Sequence, residues 1–282
     1  MATGNVTVTT AANFIPEIWS LEIIEAAHAA LVFGNLYWKD FEAEVKAKGD
    51  IVHIPNLSAM TTGSKTAGNA ITFSVNTENK TDLSVDKHDY VAFMVDDIAE
   101  VQANTNQRQM YTKRAGYDLG ALVDTYLAAF VDDFDYNVGT LATDVTDDNL
   151  LRAAQYLNDA NAPMNDRSLV ISPATLNSIM KIDKYVRLDY HNIKGETAVE
   201  SGMLNQPLAG AKVYVTTQVE GDNTNGHHNG MFHKQAVAFA MQRQPMVHTE
   251  YSVDYLAWKV ATDCIYGAIE TRGTFGVDIL GA

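Results

Sequence analysis

The sequence predicts an α+β fold with one long helix beside several strands, and three observations carry that prediction. Residues Asn106 to Asp132 repeat apolar side chains at helical spacing over a length well beyond that of an ordinary helix. Tracts such as HDYVAFMVDD, AKVYVTT, AVAFAMQ, MVHTEY and LAWKVATDCIYGAIET alternate, or concentrate β-branched and aromatic residues, as strands do. Between Gly49 and Asp86 stands a long polar stretch rich in Thr, Ser, Asn and Gly, with little material for a core. Connections of this length are uncommon and usually functional, so the stretch reads as an arm reaching toward a neighbour.

The elements follow in order. Met1 to Thr10 is small and polar, and mobility is expected there. In the tract from Phe14 to Trp38, Pro16 suits a first helical turn, and Trp19, Ile23, Ala26, Ala27 and Ala30 recur at helical spacing. An amphipathic helix of about four turns is expected, either a core helix or an arm packed on another subunit.

In the polar arm, Ile51 to Leu57 and Ala70 to Val75 alternate as two strands, and the tip between them, Thr61 to Asn69, holds Gly63 and Gly68. With about ten residues a side at about 3.3 Å each, this hairpin reaches on the order of 30 Å. A two-stranded ribbon is marginal alone in water, so it needs something to lie against.

A strand over His88 to Asp97 comes next, and Asp97 with Glu100 has capping-box spacing for a short helix. The long helix carries Leu119, Leu122, Val123, Tyr126, Leu127 and Phe130 on one face, and spans on the order of 40 Å. Thr146 caps a further helix bearing Leu150, Leu151, Ala154 and Leu157, which Pro163 closes. RSLVISP reads as a buried strand, after which Ser172-Pro173 opens a helix through Leu176, Ile179 and Met180. Lys181 to Gln206 reads as an irregular link, and the last strand ends in the turn-prone TRGTFG. There is no internal repeat.

Composition narrows the function. Of 282 residues, 46% are hydrophobic and 20% charged, the balance of a packed globular chain. Lys and Arg number 20 against 35 Asp and Glu, a net charge of −15, which argues against gripping nucleic acid through its phosphates. Cys264 is the only cysteine, so no intrachain disulfide forms. The first ten residues lack the marks of a signal peptide, and no run reaches the roughly 18 apolar residues of a spanning helix. A soluble protein of a reducing compartment is expected.

Catalytic signatures are missing: there is no G-x-S-x-G, no G-x-x-x-x-G-K, no G-x-G-x-x-G and no H-E-x-x-H. Cys264 lies in the apolar tract VATDCIYGA and reads as a buried, inert thiol. Asp132, Asp133 and Asp135, with Asp147 and Asp148, offer paired carboxylates for hydrolysis, although acids after Thr146 also suit a helix N-terminus. His227, His228 and His233 are close in sequence but fall in GDNTNGHHNG and after it, which reads as a surface loop rather than a metal site. The glycosylation patterns at Asn5 and Asn79 carry no meaning without a secretion signal. No catalytic, cofactor or metal residue is expected.

The order of pieces resembles the major capsid proteins of tailed bacteriophages, whose shared architecture is the Johnson fold. The resemblance spans about Asn13 to Leu280 and rests on FIPEIWS, the polar hairpin, the strand running into a long helix, RSLVISPATLNSIMK, FHKQAVAFA and the closing YGAIETRGTFGV. It implies an N-arm (1–48), an extended E-loop hairpin (49–86), a peripheral domain with the spine helix (87–139), an axial domain (140–243) and return strands to the peripheral domain with the C-terminus (244–282). The closing strand is implied to pair with Tyr90 to Val95. Contacts between subunits are implied at Phe14, Ile15 and Trp19 in the arm and at Thr61, Gly63, Lys65 and Gly68 in the hairpin.

The implied function is self-assembly, through hexamers and pentamers, into an icosahedral shell enclosing a double-stranded DNA genome. The implied partners are a portal, a possible cement protein and a separate scaffolding protein, since the chain reaches its arm within about a dozen residues of Met1. Neither sequence-specific nucleic-acid binding nor membrane binding is implied, and the expected location is the virion capsid, assembled in the host cytoplasm. Lys65 and Lys80 lie in the arm, where some members form an isopeptide bond, but no Asn partner or carboxylate catalyst is identified for one. An encapsulin-like compartment is the alternative, and a carboxylate-dependent hydrolase using Asp132 and Asp133 is the third reading.

Overall fold

The computed structural model describes residues 31–42, 45, 51–57, 62–68, 70–71, 73, 78–96, 107–186, 204 and 207–282. The helices expected after Pro16 and Asp97 lie outside these residues in whole or most part, as does most of the Lys181 to Gln206 link. The chain order is α1 (Phe33–Leu36), β1 (Ile51–Leu57), β2 (Glu78–Ser84), β3 (Lys87–Asp96), α2 (Gln107–Ala128), β4 (Tyr136–Gly139), α3 (Asp147–Asp159), β5 (Arg167–Ile171), α4 (Pro173–Met180), α5 (Asp183–Val186), β6 (Lys212–Val215), β7 (Gly221–Asp222), β8 (Gly226–His233), β9 (Val237–Ser252), β10 (Ala257–Glu270) and β11 (Gly276–Gly281). The strands form three sheets: β1-β2, β3-β10-β9, and β4-β11-β8-β5-β6 with β7 added to β8.

α2 is the long helix, and its buried residues Thr112, Ala115, Leu119, Val123 and Leu127 recur every three or four positions. Leu122, expected on that face, is exposed, because at about 100° per residue it stands about 100° from the centre of the Leu119, Val123 and Leu127 stripe. One turn of α2 also fixes α1. The backbone N–H groups of Val32, Phe33 and Gly34 donate to the fully buried Asp124 carboxylate at 2.6, 3.2 and 3.0 Å. Tyr37 adds a hydroxyl donated to the Leu127 carbonyl at 3.2 Å.

In the three-stranded sheet, β10 pairs antiparallel with β3 from Ala257↔Asp96 to Tyr266↔Lys87, the pairing expected of the closing strand. The two strands expected at AVAFAMQ and MVHTEY are a single strand, β9, interrupted by a register shift opposite Cys264. Pro245 lies at that shift; it has no N–H for a ladder, and β9 is the outer strand of its sheet, so the proline bends the strand without ending it.

The six-stranded sheet is the centre of the main core. β5 is buried throughout, and Leu150, Ala153, Ala154 and Leu157 of α3 pack beside it in the same cluster as Met231, Phe232, Val277 and Ile279. Both expected caps form, Asn149 N–H donating to Thr146 Oγ1 at 3.4 Å and Thr175 N–H to Ser172 Oγ at 3.1 Å. Leu151, expected with the core residues of α3, is exposed. Past Pro163, the buried Arg167 guanidinium donates to the Ala162 and Pro163 carbonyls and to Asn158 Oδ1, satisfying the end of α3.

One assignment changes here. GDNTNGHHNG, expected as a surface loop, runs into β8, a buried inner strand between β5 and β11. Residues 221–225 of this stretch are exposed, but Asn229 is fully enclosed and satisfied: it accepts from Ser172 N–H at 2.8 Å and donates to the Ile279 carbonyl at 3.1 Å. Gly226 sits at φ +99°, where a Cβ would stand 2.4 Å from Ala142 N. Residues 244–282 are expected as return strands to the peripheral domain with the C-terminus. β10 does lie beside β3, but β11 inserts between β4 and β8 in the six-stranded sheet, buried by Val277 and Ile279.

Candidate assembly surface

β1 and β2 pair antiparallel from Ile51↔Ser84 to Leu57↔Glu78. The returning strand is the polar ENKTDLS, not the expected Ala70 to Val75, of which Ala70, Ile71 and Phe73 are described outside any strand. Val52, Ile54 and Leu83 alternate onto one face and join Val45, Val85, Ala238 and Ala240 in a small separate core. The hairpin base is therefore seated on its own subunit. Gly267 of β10 permits this, since a Cβ there would stand 2.0 Å from the Ser84 carbonyl oxygen. On the exposed face, Asp82 bridges His53 Nδ1 at 2.6 Å and Lys80 Nζ at 3.2 Å. The His53 hydrogen bond, with Lys80 behind it, holds the Asp82 carboxyl below the usual carboxylate range.

Away from the base the described residues are exposed. Residues 62–68 are all exposed, Gly68 takes φ +89° in a turn, and nothing lies within 4 Å of a Cβ built at Gly63. Of the hairpin residues expected to touch a neighbour, Gly63, Lys65 and Gly68 stand in this exposed run, while Thr61 lies outside the described residues, as do Phe14, Ile15 and Trp19 of the arm. Ile71 is 56% and Phe73 86% exposed. Fully burying such a side chain is worth about 1.5–3 kcal/mol, so the tip has apolar surface to place on a partner.

A second apolar surface lies where β3, β10 and β9 run side by side. Tyr90, Met94 and Met246 are exposed there, and a groove of about 550 Å³ is lined by Ala92, Met94, His248, Lys259 and Ala261 among others. Asp263 ties the three strands together, accepting from Arg243 of β9 and meeting His88 Nε2 of β3 at 2.7 Å and His248 Nε2 of β9 at 3.1 Å. This cluster had no sequence signal, because its members lie up to 175 positions apart.

Of the residues considered for chemistry, only Asp132 and His228 come together among the described residues, and the others disperse. His227 Nε2 meets Asn223 Oδ1 at 3.1 Å, and His233 Nδ1 accepts from Gln235 N–H at 3.2 Å, its imidazole held below the ordinary range chiefly by burial. His228 instead faces Asp278 and Asp132. Asp147 lies in the first turn of α3, and its carboxyl is held low by the Tyr185 hydroxyl and by Lys184. Burial, with Asp135 and Asp133 nearby, raises the Glu270 carboxyl. Burial pushes the Cys264 thiol up to about 12, as expected of an inert cysteine. No described helix is long and apolar enough to cross a membrane.

Comparison with known proteins places the chain. The family model described as "Phage capsid protein" matches residues 41–280. A structure from Mycobacterium phage Che8 superposes with a TM-score of 0.74 at 24% identity, covering 88% of this chain and 90% of that one. A capsid structure of the cyanophage P-SCSP1u superposes at 0.72 with 14% identity, covering 90% and 88%. A virus-like particle from Pyrococcus furiosus gives 0.63 at 10% identity, covering 93% and 98%. No curated protein matches the sequence.

Proposed function

The chain belongs to the phage capsid protein family, and from that premise we propose how this subunit builds its shell. It is a structural, shell-forming protein with the Johnson-type α+β fold, and its place is the virion capsid. The observation that carries the proposal is the hairpin: a seated base and an exposed tip. Such a ribbon is marginal alone and becomes stable when laid across an adjacent subunit, so its burial stabilises assembly rather than the monomer.

In this reading 49–86 is the E-loop, and Gly63, Lys65 and Gly68, with Thr61, contact a neighbouring copy. Residues 1–48 form an N-arm that contacts another copy through Phe14, Ile15 and Trp19. The part built on α2 and the β3-β10-β9 sheet is peripheral, and the six-stranded sheet is axial, with loops meeting at the centres of hexamers and pentamers. The shell encloses double-stranded DNA without gripping it, as a net charge of −15 favours. A scaffolding protein, a portal and a cement protein are its proposed partners, assembly takes place in the host cytoplasm, and the subunit performs no catalysis.

An encapsulin-like compartment is the alternative reading, and the phage capsid family match favours the viral one. The test is expression of the chain, alone and with its scaffold, followed by electron microscopy. Closed particles are expected. Soluble monomers with hydrolase activity and no particles would overturn the proposal.

A further inference from the structure

We propose that Asp132, His228 and Asp278 form a site for one divalent transition-metal cation, with Zn²⁺ as its probe. Three separate elements supply the groups: the turn after α2, β8 and β11. One potential ligand atom from each lies within 4.8 Å of the others, the only such His, Cys, Asp and Glu group among the described residues. His228 Nδ1 stands 3.3 Å from Asp132 Oδ1 and 2.7 Å from Asp278 Oδ2. Tetrahedral zinc, with ligands at about 2.0–2.2 Å, holds them about 3.4 Å apart, so the first edge already matches and the second opens when a cation replaces the bridging proton.

A second, independent feature points to a ligand. Asp278 is 2% exposed, and its Oδ1 is buried with no hydrogen-bond partner. Buried carboxylate oxygens are ordinarily paired, and leaving one orphaned beside a second carboxylate is costly. The surroundings add no compensating cation: apart from His228, the charged groups acting on Asp278 are Asp132 and Glu220, both acidic. Entry is open from one side, because the Asp132 side chain is 59% exposed. Imidazole with two carboxylates and a water completes a four-coordinate shell suited to zinc rather than to magnesium or calcium, which favour oxygen ligands alone.

Position gives the site a consequence. Asp278 lies on β11, an inner strand of the six-stranded sheet, and Asp132 ends the turn that follows the long helix. A bound cation ties the last strand of the chain to the end of α2. The test is isothermal titration of Zn²⁺ into chelator-treated full-length protein, with a thermal melt alongside. Wild type is expected to bind one ion per subunit and to melt higher with zinc. Asp132→Asn, at a carboxylate 59% exposed, and His228→Gln are each expected to weaken binding by roughly 100-fold or more. Asp133→Asn, its exposed neighbour, is expected to bind as wild type does. No binding by wild type, or unchanged affinity in Asp132→Asn, would overturn the proposal.

Discussion

Asp124 joins α1 to α2 by accepting three backbone N–H groups, and burial holds its carboxyl above the ordinary range against the pull of Gly34, Val32, Phe33 and Lys39. Asp124→Ala would leave three donors without an acceptor in a closed space. A loss of about 3 kcal/mol or more is expected from denaturant unfolding of the subunit, with Asp124→Asn milder because one acceptor remains. Cys264 supplies a second residue-scale prediction: with its thiol buried and pushed up to about 12, it should resist a thiol-specific reagent in the folded chain and react once the chain is unfolded. At this scale the sequence was readable where chemistry is local. Thr146 and Ser172 announce their caps three residues ahead, whereas Asp124, Asp263 and Asn229 find partners 15 or more positions away and leave no local mark.

The hairpin shows both what element-scale reading captures and where it stops. β1 alternates clearly, but β2 buries mainly Leu83 and otherwise faces solvent, so its polar sequence reads as loop and the more apolar Ala70 to Val75 reads as the partner of β1. The same physics hid β8, where Asn229 is enclosed through satisfied hydrogen bonds rather than through apolarity. Two predictions belong here. Gly267→Ala forces a Cβ against the Ser84 carbonyl, so a cost on the order of 1–3 kcal/mol and faster proteolysis within 49–86 are expected. Deleting Ser58 to Asn69 should leave the subunit's melting temperature near that of wild type while lowering particle stability, because the described residues of the tip, 62–68, are all exposed. A subunit unfolded by that deletion would show the tip to be part of the core.

For the whole molecule, the order of pieces was legible, from hairpin through long helix to the strand that closes on β3. The sheet membership of β4 and β11 was not, because four- and six-residue strands buried by distant neighbours carry too little pattern. Charge acts at this scale too. Each copy carries −15, and copies packed into a shell repel, so assembly should become more efficient as ionic strength rises from about 0.01 M to about 0.15 M and the screening length falls from about 30 Å to about 8 Å. Light scattering across that range checks it, with a flat or falling yield counting against the account. The central claim, that the hairpin tip lies on another copy, is tested most directly by a density map of the assembled particle. The account predicts Gly63 to Phe73 resting against a neighbouring subunit with Phe73 enclosed; a tip folded back onto its own subunit, touching no other, would contradict it.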